Sequence, residues 1–290
     1  MKINVSDNFF TRAKPIWAKG LEKEKNITLG LYKNIRCESG SAILKIAASG
    51  FYRVFVNGKF TYFGPARCAH GYYRVDEIEL NLKKGENHIA IETVNYYVNS
   101  FYSLMQSGFI EAELVSDGAA AAVTDEAGEN AFELYELCER IRRVQRYSYQ
   151  RPFAEAYRLT EDFCGWRTGA NGANVSPRSV IITDEKCLLP RNIPESTFTE
   201  VSPCSSVCGG SAVFGVKPEK YRKDRSLIYI KNPASGNLEG FFENELCEHL
   251  SDEVQEIRSE ITDDRRTEYS GNTALGAGEF EILEFPCEKT

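Results

Sequence analysis

Residues 51–65 read FYRVFVNGKFTYFGP, residues 72–80 read YYRVDEIEL and residues 88–94 read HIAIETV. In the first of these, Tyr52, Val54 and Val56 alternate with Phe51, Arg53 and Phe55, the period of two expected of a strand with one buried face. Asn57-Gly58 follows, and because both residues tolerate positive φ the pair predicts a type I′ hairpin turn. Residues 59–63 run back until Gly64-Pro65 stops them. After a loop holding Arg67, His70, Tyr72 and Tyr73, residues 76–80 start another extended run, KGEN at 84–87 turns the chain, and residues 88–94 are rich in β-branched side chains. Strand and turn repeat without room for a crossover helix, which predicts an antiparallel sheet.

The same rhythm continues outward. Residues 27–35 and 43–48 read as strands around the turn-like ESGS at 38–41, residues 109–115 alternate cleanly, and Asp117-Gly118 makes a second tight turn into 119–123. Short strands and turns at this recurrence predict an all-β sandwich. Between 130 and 143, Phe132, Tyr135 and Cys138 have a spacing that either a helix or extended chain accommodates, and residues 144–159 read as strand interrupted at Pro152. The Gly-, Asn- and Ser-rich stretch 167–178 is the expected boundary between a first module, 1–178, and a second, 179–290. In the second, 179–183, 226–230 and 279–285 are strand-like. Leu238, Phe242, Leu246, Leu250, Val254, Ile257 and Ile261 recur at helical spacing, which fits a helix or plain packing. Residues 1–14 read as a leader.

With 290 residues, 42% hydrophobic and 12% aromatic, the chain has material for one large or two ordinary domains with a real core. A net charge of −7 argues against broad affinity for nucleic acid or acidic membranes, and no apolar run approaches a bilayer span. No apolar signal core follows Met1-Lys2-Ile3-Asn4, so a cytoplasmic location is expected and the glycosylation-type triplets at Asn4, Asn26 and Asn174 read as chance. The nine cysteines (37, 68, 138, 164, 187, 204, 208, 247 and 287) are scattered and odd in number, as reduced thiols are. Cys204 and Cys208 are too loosely spaced, with no histidine near, to read as a zinc site. No metal or cofactor is expected.

The run YRVFVNGKFTYFGPAR at 52–67, followed by YYRVDEIELNLKKGENHIAIE at 72–92, resembles the N-terminal non-catalytic sandwich of α-L-rhamnosidase-like glycoside hydrolases. Ile16-Trp17-Ala18 is similar to that family's short tryptophan-containing opening segment. RPFAEAYR at 151–158 resembles its return strand, and LLPRNIP at 188–194 its lead into the next module. The resemblance implies an antiparallel, galactose-binding-like jelly roll followed by a second, partial β-sandwich. It also implies a bracing role for a catalytic (α/α)6 barrel that these residues do not contain. The family's acid and base lie in that barrel, so no residue here inherits a catalytic role. The chain stops at Pro286-Cys-Glu-Lys-Thr290 immediately after a strand, where family members continue, which implies a fragment. Two departures bear on any ligand site inferred by position: no tryptophan follows Thr124-Asp125, and Tyr157 is followed by Arg158 where an aspartate is usual.

The sharpest candidate for chemistry is NYYVNSFY at 95–102. Tyr96, Tyr97, Phe101 and Tyr102, with Asn99 among them, offer aromatic faces for the C–H side of a pyranose and an amide for its hydroxyls. Arg67, Tyr72 and Tyr73 on the preceding loop follow the same logic. The expected partner is a carbohydrate, a rhamnose-bearing glycan by the resemblance; the competing reading is that these rings fill the core or contact another polypeptide. Arg140, Arg142, Arg143, Arg146 and Arg151 form a basic cluster suited to uronic acid carboxylates or to neighbouring glutamates. Trp17 and Trp166 read as core anchors. Glu161-Asp162, Asp252-Glu253 and Asp263-Asp264 are adjacent pairs, unlike the carboxylates that face each other across a glycosidic bond.

Overall fold

The computed structural model describes residues 9–144, 146–148, 150–169, 175–216, 240–241, 245–247, 256–271 and 273–286. Its contacts divide the chain into two units, Met1–Glu195 with Ser226–Leu250, and Ser196–Arg225 with Ser251–Thr290. In chain order the first unit's strands are Ile16–Ala18 (β1), Ile27–Cys37 (β2), Ser41–Ala48 (β3), Phe51–Val56 (β4), Lys59–Gly64 (β5), Tyr72–Asn81 (β6) and Gly85–Asn95 (β7). They continue with Ile110–Ser116 (β8), Ala119–Val123 (β9), Glu133–Leu137 (β10), Arg146–Ser148 (β11), Arg151–Phe153 (β12), Val175–Pro177 (β13), Val180–Ile182 (β14) and Cys187–Pro190 (β15). A single turn of 3-10 helix occupies Gly165–Thr168.

The fold is an all-β sandwich, built on the turns the sequence advertises. Asn57 and Gly58 hold φ of 51° and 80°, and Asp117 and Gly118 hold 51° and 78°, the positive pair a type I′ turn requires. These turns close the β4–β5 and β8–β9 hairpins. One sheet has the order β14-β1-β8-β3-β6-β15, with β9 on β8; the other runs β13-β10-β2-β7-β4-β5. The longest pairing is antiparallel, β2 on β7 from Ile27↔Asn95 to Cys37↔Gly85. Alternation then delivers Leu29, Leu31, Val54, Ile89 and Ile91 from one sheet and Leu44, Ile46, Ile78, Leu80 and Leu114 from the other into one buried core. Trp17 is wholly buried there, its indole N–H donating to the Leu21 carbonyl at 3.1 Å.

The outer face of the second sheet is also covered. Trp166 packs on Tyr32, Phe55, Ala90 and Leu137, so both tryptophans serve as core anchors. Buried Glu92 accepts hydrogen bonds from Arg53 and, at 2.9 Å, from Arg167. Arg140 is buried beside Glu155 at 3.5 Å and Arg142 pairs with Glu24, so these two members of the basic cluster are tied to glutamates.

Residues 180–191 form a strap across one end of the first sheet. β14 pairs antiparallel with β1, Thr183 N–H donates to Pro15 O at 2.8 Å, and β15 then pairs with β6. That last pairing is parallel, Cys187↔Tyr72 to Pro190↔Val75, an exception to the antiparallel arrangement expected from the local run. Distant segments can pair in either direction, whereas hairpin neighbours cannot.

Three further expectations are settled by the backbone. Residues 130–143 contain the strand β10, not a helix, because Glu133–Leu137 fills the place beside β2. The break expected at Pro152 lies instead between Ser148 and Arg151. Pro152 sits inside β12, an edge position of a two-stranded ribbon where a missing N–H is tolerated. In the second unit, Ser205–Val216 (β16) is flanked by Glu256–Asp263 (β17), Thr267–Glu268 (β18) and Glu279–Glu284 (β19) in an antiparallel four-stranded sheet. Ile257 and Ile261 therefore belong to a strand rather than a helix; an interval of four fits both periods. Leu246 is not helical either, and 226–230, Leu238, Phe242, Leu250 and Val254 lie outside the described residues. Among the described residues no helix is long and apolar enough to cross a membrane.

Candidate functional site

At one end of the sandwich, three stretches of the first unit enclose a cleft of about 260 Å³: the β3–β4 corner at Ala48–Phe51, the loop from Pro65 to Arg74, and the loop from Ser100 to Gln106. The corner is tight. A Cβ on Gly50 would lie 1.9 Å from the Val94 carbonyl oxygen, so only glycine lets β4 leave β3 against β7.

The third stretch is held by its own side chains. Ser100 Oγ accepts from the Tyr102 and Ser103 N–H groups, both at 3.0 Å, and Ser103 Oγ donates to Val98 O at 3.1 Å. Asn99 Oδ1 accepts from Met105 N–H at 2.8 Å, while the Asn99 carbonyl accepts from Arg146. Local side-chain-to-backbone bonds of this kind replace the missing ladder and give a loop one conformation. Gln106 joins all three walls: its Nε2 donates to Ser49 O at 2.6 Å, its Oε1 accepts from Tyr73 O–H at 3.0 Å, and its carbonyl accepts from Asn95 Nδ2 at 3.0 Å. Burial, with Cys187 nearby, raises the Tyr73 phenol above its ordinary value, so it acts as a hydroxyl donor.

Of the residues singled out in the sequence, Arg67, Tyr72, Tyr73, Phe101 and Tyr102 line this cleft together. Phe101 is 65% exposed and Tyr102 45%. The Arg67 guanidinium lies 5.3 Å from the Tyr102 ring centroid and that of Arg151 lies 5.7 Å from it. The other three stand elsewhere. Tyr96 is buried, edge-on to Phe51 at 6.2 Å and below the Arg140 guanidinium, so it backs a residue of the cleft wall. Tyr97 occupies the left-handed region at φ 50° and Asn99 braces the loop. Sequence reasoning did not find Ser49, Phe51, Ser103 or Gln106 as members of the cleft. Only the polar Ser and Gln on a loop already rich in aromatics offered a signal.

Stacking faces, hydroxyls and guanidinium donors around a space of this size can hold one small polar ring. Ligand sites for larger molecules run to roughly 300–1,000 Å³. No carboxylate lines the cleft. Among the described residues no three His, Cys, Asp or Glu side chains converge on a metal position. Glu161 and Asp162 lie in a surface turn and Asp263 ends β17, while Asp252 and Glu253 lie outside the described residues.

Comparison with solved structures gives the fold a context. The structural neighbours include α-L-rhamnosidases. A GH78 family rhamnosidase of Bacillus sp. GL1 superposes with a TM-score of 0.57 at 27% identity, over 73% of this chain and 22% of that one. α-L-Rhamnosidases from Dictyoglumus thermophilum (TM-score 0.47, 13% identity, 94% of this chain and 35% of that one) and Aspergillus terreus (0.46, 12%, 98% and 37%) also match. The chain spans 22–37% of the length of these enzymes. No family model and no curated protein matches it.

Proposed function

We propose that this chain is a non-catalytic β-sandwich region of an α-L-rhamnosidase-like glycoside hydrolase, which braces a catalytic barrel elsewhere in the parent protein and holds a sugar ring, rhamnose among the candidates, in the cleft. The likeness to the Bacillus enzyme supports the parentage. The observation that carries the sugar reading is the convergence of Tyr72, Tyr73, Phe101 and Tyr102 with Arg67 and Gln106 around one ring-sized space. Sugars are gripped through C–H contacts to aromatic faces and hydrogen bonds to their hydroxyls, and both kinds of group are present.

Saturation-transfer NMR and calorimetry with methyl α-L-rhamnoside and a panel of other monosaccharides test this. Binding is expected, and is expected to be lost in Tyr72→Ala and Tyr102→Ala. Binding that survives both substitutions removes the cleft from consideration. An aryl α-L-rhamnoside should pass through the purified chain unchanged; turnover would overturn the non-catalytic reading. A second reading, a structural module whose loop meets another polypeptide, draws on the exposure of Phe101, Leu104 and Met105. It is favoured if no sugar binds while Phe101→Ser and Leu104→Ser abolish an association of the chain with another polypeptide.

A further inference from the structure

The cleft carries a charge that a site for neutral sugars does not need. None of its lining side chains is acidic, while Arg67 and Arg74 both belong to it. Arg74 spends its donors on three backbone carbonyls, those of Arg67 at 3.0 Å, Pro190 at 2.9 Å and Arg191, so its positive charge meets no carboxylate there. Arg151 is not part of the cleft lining but stands beside it, 5.7 Å from the centroid of the Tyr102 ring that Arg67 also approaches. Among the described residues neither Arg67 nor Arg151 has an ion pair or a side-chain hydrogen bond. Elsewhere in this chain of net charge −7, Arg53, Arg142, Arg167, Arg178 and Arg191 are each paired with a carboxylate.

A guanidinium laid over an aromatic ring is oriented by the ring's electron-rich face yet keeps its N–H edge free. That edge presents parallel donors with the spacing of a carboxylate's two oxygens. Two such groups on one tyrosine, beside an acid-free cleft of one-ring size, assemble a carboxylate-binding element next to a sugar-stacking element. We infer that the cleft selects an anionic sugar, a uronic acid residue whose carboxylate meets Arg67 and Arg151 while its ring lies among Tyr72, Tyr73 and Phe101. Tyr102 is then a positioning residue that aims the two arginines. The inference rests on the reading of the cleft as a sugar site and names the class of sugar.

The test uses the 290-residue chain and calorimetry with D-glucuronic and D-galacturonic acids, against D-glucose, D-galactose and methyl α-L-rhamnoside as neutral sugars, and acetate and inorganic phosphate as plain anions. The uronic acids are expected to bind about tenfold or more tighter than their neutral counterparts. That margin should shrink as salt is raised, and should vanish in the Arg67→Ala/Arg151→Ala double variant. Neither arginine contributes to the core and both backbone carbonyls survive the change, so the variant keeps its fold, checked by an unchanged circular dichroism spectrum. Equal binding of acidic and neutral sugars, both lost in Tyr72→Ala, overturns the anionic inference and leaves the sugar cleft standing. Acetate or phosphate binding as well as the uronic acids overturns it as a mere anion site. Failure of every sugar to bind sinks the sugar reading itself.

Discussion

Asp76 shows how much one side chain can be asked to hold. It is wholly buried on β6, accepts the Tyr52 hydroxyl, and accepts Arg191 Nη1 at 2.6 Å; Arg191 in turn donates to Tyr62 O–H at 2.9 Å. A carboxylate stripped of its cation inside a protein costs roughly 3–5 kcal/mol. Arg191→Ala is therefore expected to lower the urea-unfolding free energy by about that much, and Arg191→Lys by less, since an ammonium keeps the charge but not the fork. A loss below about 1 kcal/mol in the alanine variant would mean that the tyrosine alone satisfies Asp76. Glu111 makes a pH-dependent case. Burial pushes its carboxyl from the ordinary 4.5 up to about 7, with Lys186 opposing and Glu113 and Glu185 reinforcing the shift. The folded state then keeps a proton that the unfolded chain releases, so stability falls between pH 4.5 and about 7 and stays lower above. Glu111→Gln should raise the melting temperature at pH 8, by an amount corresponding to about 3 kcal/mol, and leave it unchanged at pH 4. An equal gain at both pH values would attribute the effect to packing.

Among the elements, the two type I′ hairpins make a controlled comparison. Gly58 and Gly118 hold nearly the same φ, 80° and 78°, but a Cβ on Gly58 would approach the Thr168 methyl at 2.7 Å while one on Gly118 meets nothing within 4 Å. Gly118→Ala should cost about 1–2 kcal/mol from backbone strain alone. Gly58→Ala should cost more, and Thr168→Ser in the same chain should recover the difference; equal losses in the two single variants would show that Thr168 yields freely. These hairpins were legible in the sequence because a two-residue turn writes its geometry into two letters, Asn-Gly or Asp-Gly, and the flanking alternation names the buried face. Ile257 and Ile261 were not, since an interval of four residues sits on one face of either kind of element. Neither was the parallel seat of Cys187–Pro190 on Tyr72–Val75, whose partners are far apart in the chain. The cleft divides the same way. Tyr72, Tyr73, Phe101 and Tyr102 stood out as aromatics on loops, but the approach of Arg151 to Tyr102 and the bridging by Gln106 exist only once the sandwich has brought three loops to one end.

At the scale of the first unit, the strap of residues 180–191 closes both edges of the first sheet. It supplies the strand beside β1, the strand beside β6 and the cation for Asp76. A chain ended after Arg178 would leave β1 and β6 as bare edges, open to pairing with other copies. It is expected to elute from size exclusion as aggregate, whereas the 290-residue chain should elute as a discrete species; a discrete, non-aggregated shorter chain would show that the strap is dispensable. The strap also has a mechanical meaning. Because β15 lies along Tyr72 and Tyr73, the residues that wall the cleft are also the ones that anchor the chain on its way out of the sandwich. Tension on the polypeptide beyond Arg191 therefore reaches the cleft wall directly, through the β15–β6 bonds and the grip of Arg74 on Pro190 and Arg191, without first stretching a slack loop. A sugar held there would be coupled to whatever pulls on the chain downstream, as cargo is to a taut line.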